Sequence, residues 1–167
     1  MNKKCVVVVP AFNEEAALPS VIGRVPRQME DLDVEILLVD DGSTDRSVQV
    51  AREAGVDHVL SFPVNRGLGA AVREGLQAAL HLGADLAVLI DADNEYPADE
   101  IPHLIAPILR DEADYVMGSR FKGTIKGMSI IRRLGNHVFT LLQSLLLRQW
   151  ICDGQSGMRA FNRAALQ

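Results

Sequence analysis

Short aliphatic runs punctuate the chain at Cys5–Val9, Val34–Val39, His58–Leu60, Leu86–Ile90 and Tyr115–Met117. Their length and their Val, Ile and Leu content predict strands. After each of the first four comes a segment with helical spacing or helix-start chemistry, roughly Glu14–Val25, Thr44–Ala54, Leu68–Leu82 and Ala98–Arg110. Such alternation predicts βαβ units, hence an α/β fold with a mainly parallel sheet and helices on both faces. No internal repeat, low-complexity tract or linker divides the sequence, so residues 1–167 read as one domain.

Two apolar stretches test for targeting or membrane segments. Lys3 and Lys4 precede an apolar run, as in a secretory signal, but the run ends at Pro10 and acidic residues follow, which marks a first strand. The longest stretch, Val138–Ile151, is interrupted by Thr140, Gln143, Ser144, Arg148 and Gln149 and falls short of the roughly 17 residues a spanning helix needs. No transmembrane segment is predicted. Cys5 and Cys152 lie far apart with no metal-ligand spacing around them, which implies a reducing compartment and plain burial.

Composition (48% hydrophobic, 23% charged) is that of an ordinary folded domain, and the formal net charge of −5 conceals an asymmetry. Residues 1–114 hold 21 acidic against 9 basic side chains, whereas residues 115–167 hold only Asp153 against 8 basic ones. No nucleic-acid partner is expected.

In a parallel α/β sheet, ligands bind beyond the carboxyl ends of the strands. Those positions read Pro-Ala-Phe-Asn-Glu (10–14), Asp-Asp-Gly-Ser-Thr-Asp (40–45), Asn65–Gly69, Asp-Ala-Asp-Asn-Glu (91–95) and Gly-Ser-Arg (118–120). If the strand runs on in extended form, Asp91 and Asp93 point the same way and, with Glu95, can converge on a hard divalent cation, Mg²⁺ or Mn²⁺. An acidic turn opening a helix is the plainer alternative. In VDDGSTD, Ser43 or Thr44 with Asp45 makes a helix start, which leaves Asp40 and Asp41 without a structural duty and able to accept from a nucleobase N–H or a ribose hydroxyl. Gly67 and Gly69 form half of a dinucleotide fingerprint, with Val72 in place of the third glycine, so a Rossmann dehydrogenase is poorly supported. Close helix packing explains that glycine pair as well as a binding role does.

Taken in order, VVPAFNEE, VDDGSTD, NRGLGAA, DADNEYP, GSR and DGQSGMRAF resemble the family-2 inverting glycosyltransferases, in the branch of dolichol-phosphate mannosyltransferase and its polyprenyl-phosphate relatives. The resemblance spans Val6–Phe161 and implies a glycosyltransferase A-type fold, a nucleoside-diphosphate sugar donor, and Mg²⁺ or Mn²⁺ as cofactor. It implies that Pro10, Phe12, Glu14, Asp40 and Asp41 surround the nucleoside, with Gly69 in the same binding set. Asp91 and Asp93 then lie at metal and diphosphate, with Arg120 facing the reacting phosphates. Phe12 stands where Tyr is commoner, Glu95 where this branch usually has Gln, and Met158 where Phe is common. The Q-x-x-R-W signature of processive synthases is absent. Relatives usually continue past the position of Gln167, so the sequence reads as a domain truncated at its C-terminus.

The acceptor decides the mechanism. A polyprenyl phosphate oxygen is already anionic and needs positioning and charge compensation rather than a base. For a sugar hydroxyl, Asp153 is the candidate base, a role that competes with a simple turn before Gly154. A nucleotide-sugar-binding module without turnover is the remaining alternative. Between Tyr115 and Cys152 every charged side chain is basic, and this flank beside a Leu-rich stretch suits contact with an anionic membrane. Arg132 and Arg133 are expected at the acceptor phosphate, with the protein cytoplasmic and peripheral at the membrane face.

Overall fold

The structure is a computed structural model that describes residues 3–29, 32–94, 97–118 and 157–167. Its strands are β1 (Lys3–Ala11), β2 (Gln28–Met29), β3 (Leu32–Asp40), β4 (His58–Ser61), β5 (Leu86–Leu89), β6 (Tyr115–Met117) and β7 (Arg159–Asn162). The described helices are α1 (Leu18–Arg24), α2 (Ser47–Glu53), α3 (Leu68–His81), α4 (Ile101–Leu109, after a 3-10 turn at Ala98–Glu100) and α5 (Arg163–Leu166). The chain divides into two compact units, Met1–Val116 with Met158–Gln167, and Met117–Gly157. Helices α1 to α5 and strands β1 to β5 and β7 lie in the first.

The sheet order is β2-β3-β1-β5-β7-β6, with β4 also pairing with β3. Strands β1, β3, β4 and β5 are mutually parallel, and β7 runs antiparallel to β5, placing Leu86 opposite Asn162 and Leu89 opposite Arg159. The expected mainly parallel α/β sheet is therefore present. Central β1 is buried because its valines serve two cores. Cys5, Val7 and Val9 pack with Ile36, Leu38 and Val88 beneath residues of α1, α2 and α4. Val6 and Val8 pack with Leu37, Val39 and Leu89 beneath Ala71 and Ala79 of α3. The period of two along the strand separates the faces, and each buried valine contributes about 1.5 kcal/mol or more. The result is a rigid platform whose carboxyl edge cannot shift cheaply.

Helix α3 lies close on this platform because of Gly75. A Cβ there would sit 2.6 Å from Val8 Cγ1 and 2.8 Å from Val39 Cγ2. At Gly69 a Cβ would meet nothing within 4 Å. Of the two readings of the Gly67–Gly69 pair, close packing does not apply, and it is Gly75 that packs closely.

Two helix starts differ from expectation. Helix α1 begins at Leu18 rather than Glu14, because Asn13 adopts a left-handed φ of 57° and a turn on the Glu14 carbonyl intervenes. Helix α2 begins at Ser47 rather than Thr44, since Ser43, Thr44 and Asp45 bond outward to another loop. Strands β2 and β7 had no counterpart among the expected elements. No described helix is long and apolar enough to cross a membrane. The Val138–Ile151 stretch lies outside the described residues, as does Cys152. Cys5 is buried and free, and burial pushes its thiol pKa up to about 12, so it is inert packing.

Candidate functional site

The order β3-β1-β5 sends the chain to opposite sides of β1, and such a reversal opens a crevice at the carboxyl ends of the strands. A cleft of about 380 Å³ lies there. Pro10, Phe12 and Glu14 border it from the end of β1, Asp41 from β3, and Asp91 and Asp93 from β5. Asn65, Gly67 and Leu68, on the approach to α3, complete its rim. Phe12 is 44% exposed and Leu68 61%, so apolar surface faces solvent at the mouth.

Two loops behind the cleft are laced side chain to backbone. The Asn13 N–H donates to Ser43 Oγ (2.9 Å), Glu14 N–H to Ser47 Oγ (2.8 Å) and Glu15 N–H to Asp45 Oδ2 (3.2 Å). In return the Thr44 N–H donates to Asn13 Oδ1 (2.9 Å) and Arg46 N–H to Glu15 Oε2 (3.0 Å). Asn suits the left-handed turn at residue 13 because its short amide tolerates αL and bonds nearby backbone. Burial alone would raise the pKa of Asp45, but hydrogen bonds from Ser47 and Glu15 outweigh it and hold the carboxyl below its usual range.

The acidic pair after β3 has structural duties, contrary to expectation. Asp40, 5% exposed, accepts the Ser43 N–H three residues on at 2.9 Å, bracing the turn through Gly42. Asp41, 3% exposed, accepts the Arg66 N–H on Oδ1 (2.7 Å) and the Gly67 N–H on Oδ2 (2.8 Å). A carboxylate from one strand end thereby fixes the entrance to α3, which has no side-chain cap of its own. Between the loops sits Gly42 at φ 78°, where a Cβ would lie 2.6 Å from the Val64 carbonyl carbon and 2.7 Å from the Asn65 nitrogen. The Asp41 ties are not legible in sequence because their partners lie 25 and 26 residues away. Asp41 still borders the cleft and retains lone pairs for a ligand.

Asp91 and Asp93 do meet at the cleft, though not by extended alternation. Strand β5 stops at Leu89, and Ala92–Asn94 turn, with Asn94 at φ 63°. The electrostatics there are one-signed: Glu14, Asp41, Asp91 and Asp93 line the cleft, and no Lys, Arg or His does so among the described residues. Burial, then the negative charges of Asp93 and Asp45, push the Glu14 carboxyl above its usual range. A hard divalent cation prefers carboxylate oxygen donors such as Asp91 and Asp93, so the residues fit Mg²⁺ or Mn²⁺. Among the described residues, no three His, Cys, Asp or Glu side chains are arranged as a complete metal site. Glu95, the expected third carboxylate, lies outside them, as do Arg120, Arg132, Arg133 and Asp153. Asp40 and Gly69 are described, and they do not line the cleft.

Similarity to known proteins agrees with this geometry. The family model described as Glycosyl transferase family 2 matches residues 6–167. The UDP-N-acetylglucosamine–dolichyl-phosphate N-acetylglucosaminyltransferase of Methanococcus voltae is 32% identical over 99% of this chain and 72% of its own length. The undecaprenyl-phosphate 4-deoxy-4-formamido-L-arabinose transferase of Salmonella choleraesuis is 33% identical, over 96% of this chain and 49% of its own. Among solved structures, Mycobacterium tuberculosis glucosyl-3-phosphoglycerate synthase with Mn²⁺, UDP-glucose and phosphoglyceric acid superposes with a TM-score of 0.74 at 30% identity. That superposition covers 97% of this chain and 57% of the synthase.

Proposed function

Because the chain belongs to glycosyl transferase family 2, we propose that its cleft binds a nucleoside-diphosphate sugar and that the sugar passes, with inversion, to a polyprenyl or dolichyl phosphate. The observation that carries this reading is the cleft itself: an exposed aromatic ring, Phe12, at one side and Asp91 and Asp93 at the other, in a chain whose relatives bear dolichyl- and undecaprenyl-phosphate in their names.

Phe12 offers a flat apolar surface to a nucleobase, and Asp41 accepts from the base or ribose while holding the Arg66–Gly67 backbone in place. Asp91 and Asp93 are the residues that would hold a cation, Mg²⁺ or Mn²⁺, whose positive charge would compensate the diphosphate leaving group. A lipid phosphate attacks as an anion, so the chain supplies orientation and positive charge in place of a base. Arg120, Arg132 and Arg133 are assigned that charge compensation, and residues 1–167 are assigned to one catalytic domain. The basic stretch between Tyr115 and Cys152 supports peripheral binding at the cytoplasmic membrane face.

A second acceptor class has its own support, since the solved synthase is named for a soluble phosphoglycerate product. With a hydroxyl acceptor, Asp153 takes the proton. The test is incubation with Mn²⁺ and UDP-N-acetylglucosamine, UDP-glucose or GDP-mannose, each with undecaprenyl phosphate or 3-phosphoglycerate. A lipid-linked sugar of inverted anomeric configuration supports the reading. Transfer only to phosphoglycerate replaces the acceptor, and nucleotide binding without transfer to either reduces the chain to a binding module.

A further inference from the structure

Residues 13–15 turn Phe12 and Glu14 toward the cleft, yet they belong to no regular element, since β1 ends at Ala11 and α1 starts at Leu18. Among the described residues, their three N–H groups find no backbone acceptor and are satisfied by Ser43, Ser47 and Asp45. Asn13 tolerates its left-handed backbone, and these bonds fix where the turn sits. Ser47 is central to this hold. It is fully buried, its hydroxyl proton goes to Asp45 Oδ1 at 2.6 Å, and its oxygen receives the Glu14 N–H. Asp45 in turn receives the Ser47 N–H on Oδ1 and the Glu15 N–H on Oδ2. Neither Asp45 nor Ser47 lines the cleft.

We propose that Asp45 and Ser47 are positioning residues: acting through the backbone of Glu14 and Glu15, they fix Phe12 and Glu14 at the cleft and so set the affinity for a nucleoside diphosphate. The proposal rests on the donor reading given above. Its competitor is a purely local role, in which Asp45 caps the start of α2 through the Ser47 N–H and contributes only to stability. The two differ in what a variant does to binding. A local cap lowers melting temperature and leaves affinity alone. A positioning pair weakens affinity beyond any effect of stability.

The experiment uses the full chain with Mn²⁺ and UDP, and GDP in parallel, as calorimetric probes. Ser47→Ala and Asp45→Asn are compared with Ala51→Gly, which loosens α2 at a buried position without touching the lacing. Ser47→Ala and Asp45→Asn are each expected to weaken nucleotide binding about tenfold, the scale set by losing one hydrogen bond of a charge-assisted set. Ala51→Gly retains wild-type affinity at a similar melting temperature, and Ser47→Thr, which keeps the hydroxyl, restores binding. Amide exchange at Glu14 speeds up in Ser47→Ala and not in Ala51→Gly. Affinity within about twofold of wild type in Asp45→Asn overturns the proposal even if Ser47→Ala fails to fold. An equal loss in Ala51→Gly also overturns it. If the wild-type chain binds neither nucleotide, it is the donor reading that fails, an outcome distinct from normal binding by the variants.

Discussion

The two ends of the central sheet use the same residue type for opposite purposes. At the amino end Glu35 of β3 sits between Lys4 of β1 (2.8 Å) and His58 of β4 (2.9 Å), and Asp57 next door pairs with Arg27. At the carboxyl end Glu14, Asp91 and Asp93 gather round a cleft that no basic side chain lines among the described residues. Glu35 is held below the ordinary carboxyl pKa and Glu14 above it. Burial opposes ionisation at both, so the difference is the sign of the neighbours. At one end the described neighbours of the glutamate are cationic, and at the other they are carboxylates.

The largest effect is expected where the cleft end is most tightly built. In Gly42→Ala the new Cβ meets the backbone of Val64 and Asn65 at under 3 Å, and the residue must hold φ 78°. Backbone cannot move aside as a side-chain tip does. A loss of about 2–3 kcal/mol is expected, combining the costs of overpacking and of a left-handed non-glycine residue. Urea unfolding measures it, and a loss under about 0.5 kcal/mol, the range of a neutral surface change, means that the two loops are not packed as described.

Next in size is Asp93→Asn, which breaks the contrast by removing charge from the cleft end. Mn²⁺-dependent nucleotide binding should weaken on the order of 10- to 100-fold, the range seen when a carboxylate supporting a metal site is lost. The same change also relieves the repulsion that Asp93 exerts on the Glu14 carboxylate. Thermal melts with and without Mn²⁺ and UDP separate the two effects. A variant that keeps the full Mn²⁺-dependent shift removes Asp93 from the metal site.

The sequence made the platform legible and left the lacing hidden, for a physical reason. Strands β1, β3 and β5 are runs of aliphatics sandwiched between helices, and burial on both faces writes itself into consecutive residues. The acidic rim was legible because loops after parallel strands must converge. Asp41 was misread as an idle carboxylate and Asp45 as part of a local helix start, and Ser47 was not singled out, since their partners lie some 25 to 33 residues away. Gly75 escaped notice for the same reason: nothing near it in sequence reveals Val8 and Val39 beneath it. Strand β7 carries only Arg-Ala-Phe-Asn, too short a pattern to stand out, and becomes a strand by pairing with β5.

The smallest effect tests the Glu35 end. Burial disfavours the Glu35 carboxylate, and the hydrogen bonds and charges of Lys4 and His58 outweigh that penalty. A carboxyl whose folded pKa lies below its unfolded value contributes stability that is fully present above the unfolded pKa, near 4.5 for this group. That contribution fades as pH falls through the depressed folded value, when Glu35 takes up a proton and both partners lose their acceptor. Glu35→Gln should therefore lower stability at pH 7 by about 0.5–1 kcal/mol, a modest figure because the pair is partly exposed and screened by solvent. In acid, once the pH is below the depressed folded value, wild type and variant should converge. The same scan on Glu14→Gln runs the other way. A carboxyl raised by its surroundings costs stability once ionised, so the metal-free variant should match or exceed wild type at pH 7, with the gap closing in acid. Parallel pH profiles for the two variants mean that the ends of the sheet do not differ in electrostatic character, whereas profiles of opposite sign locate the net carboxylate repulsion at Glu14.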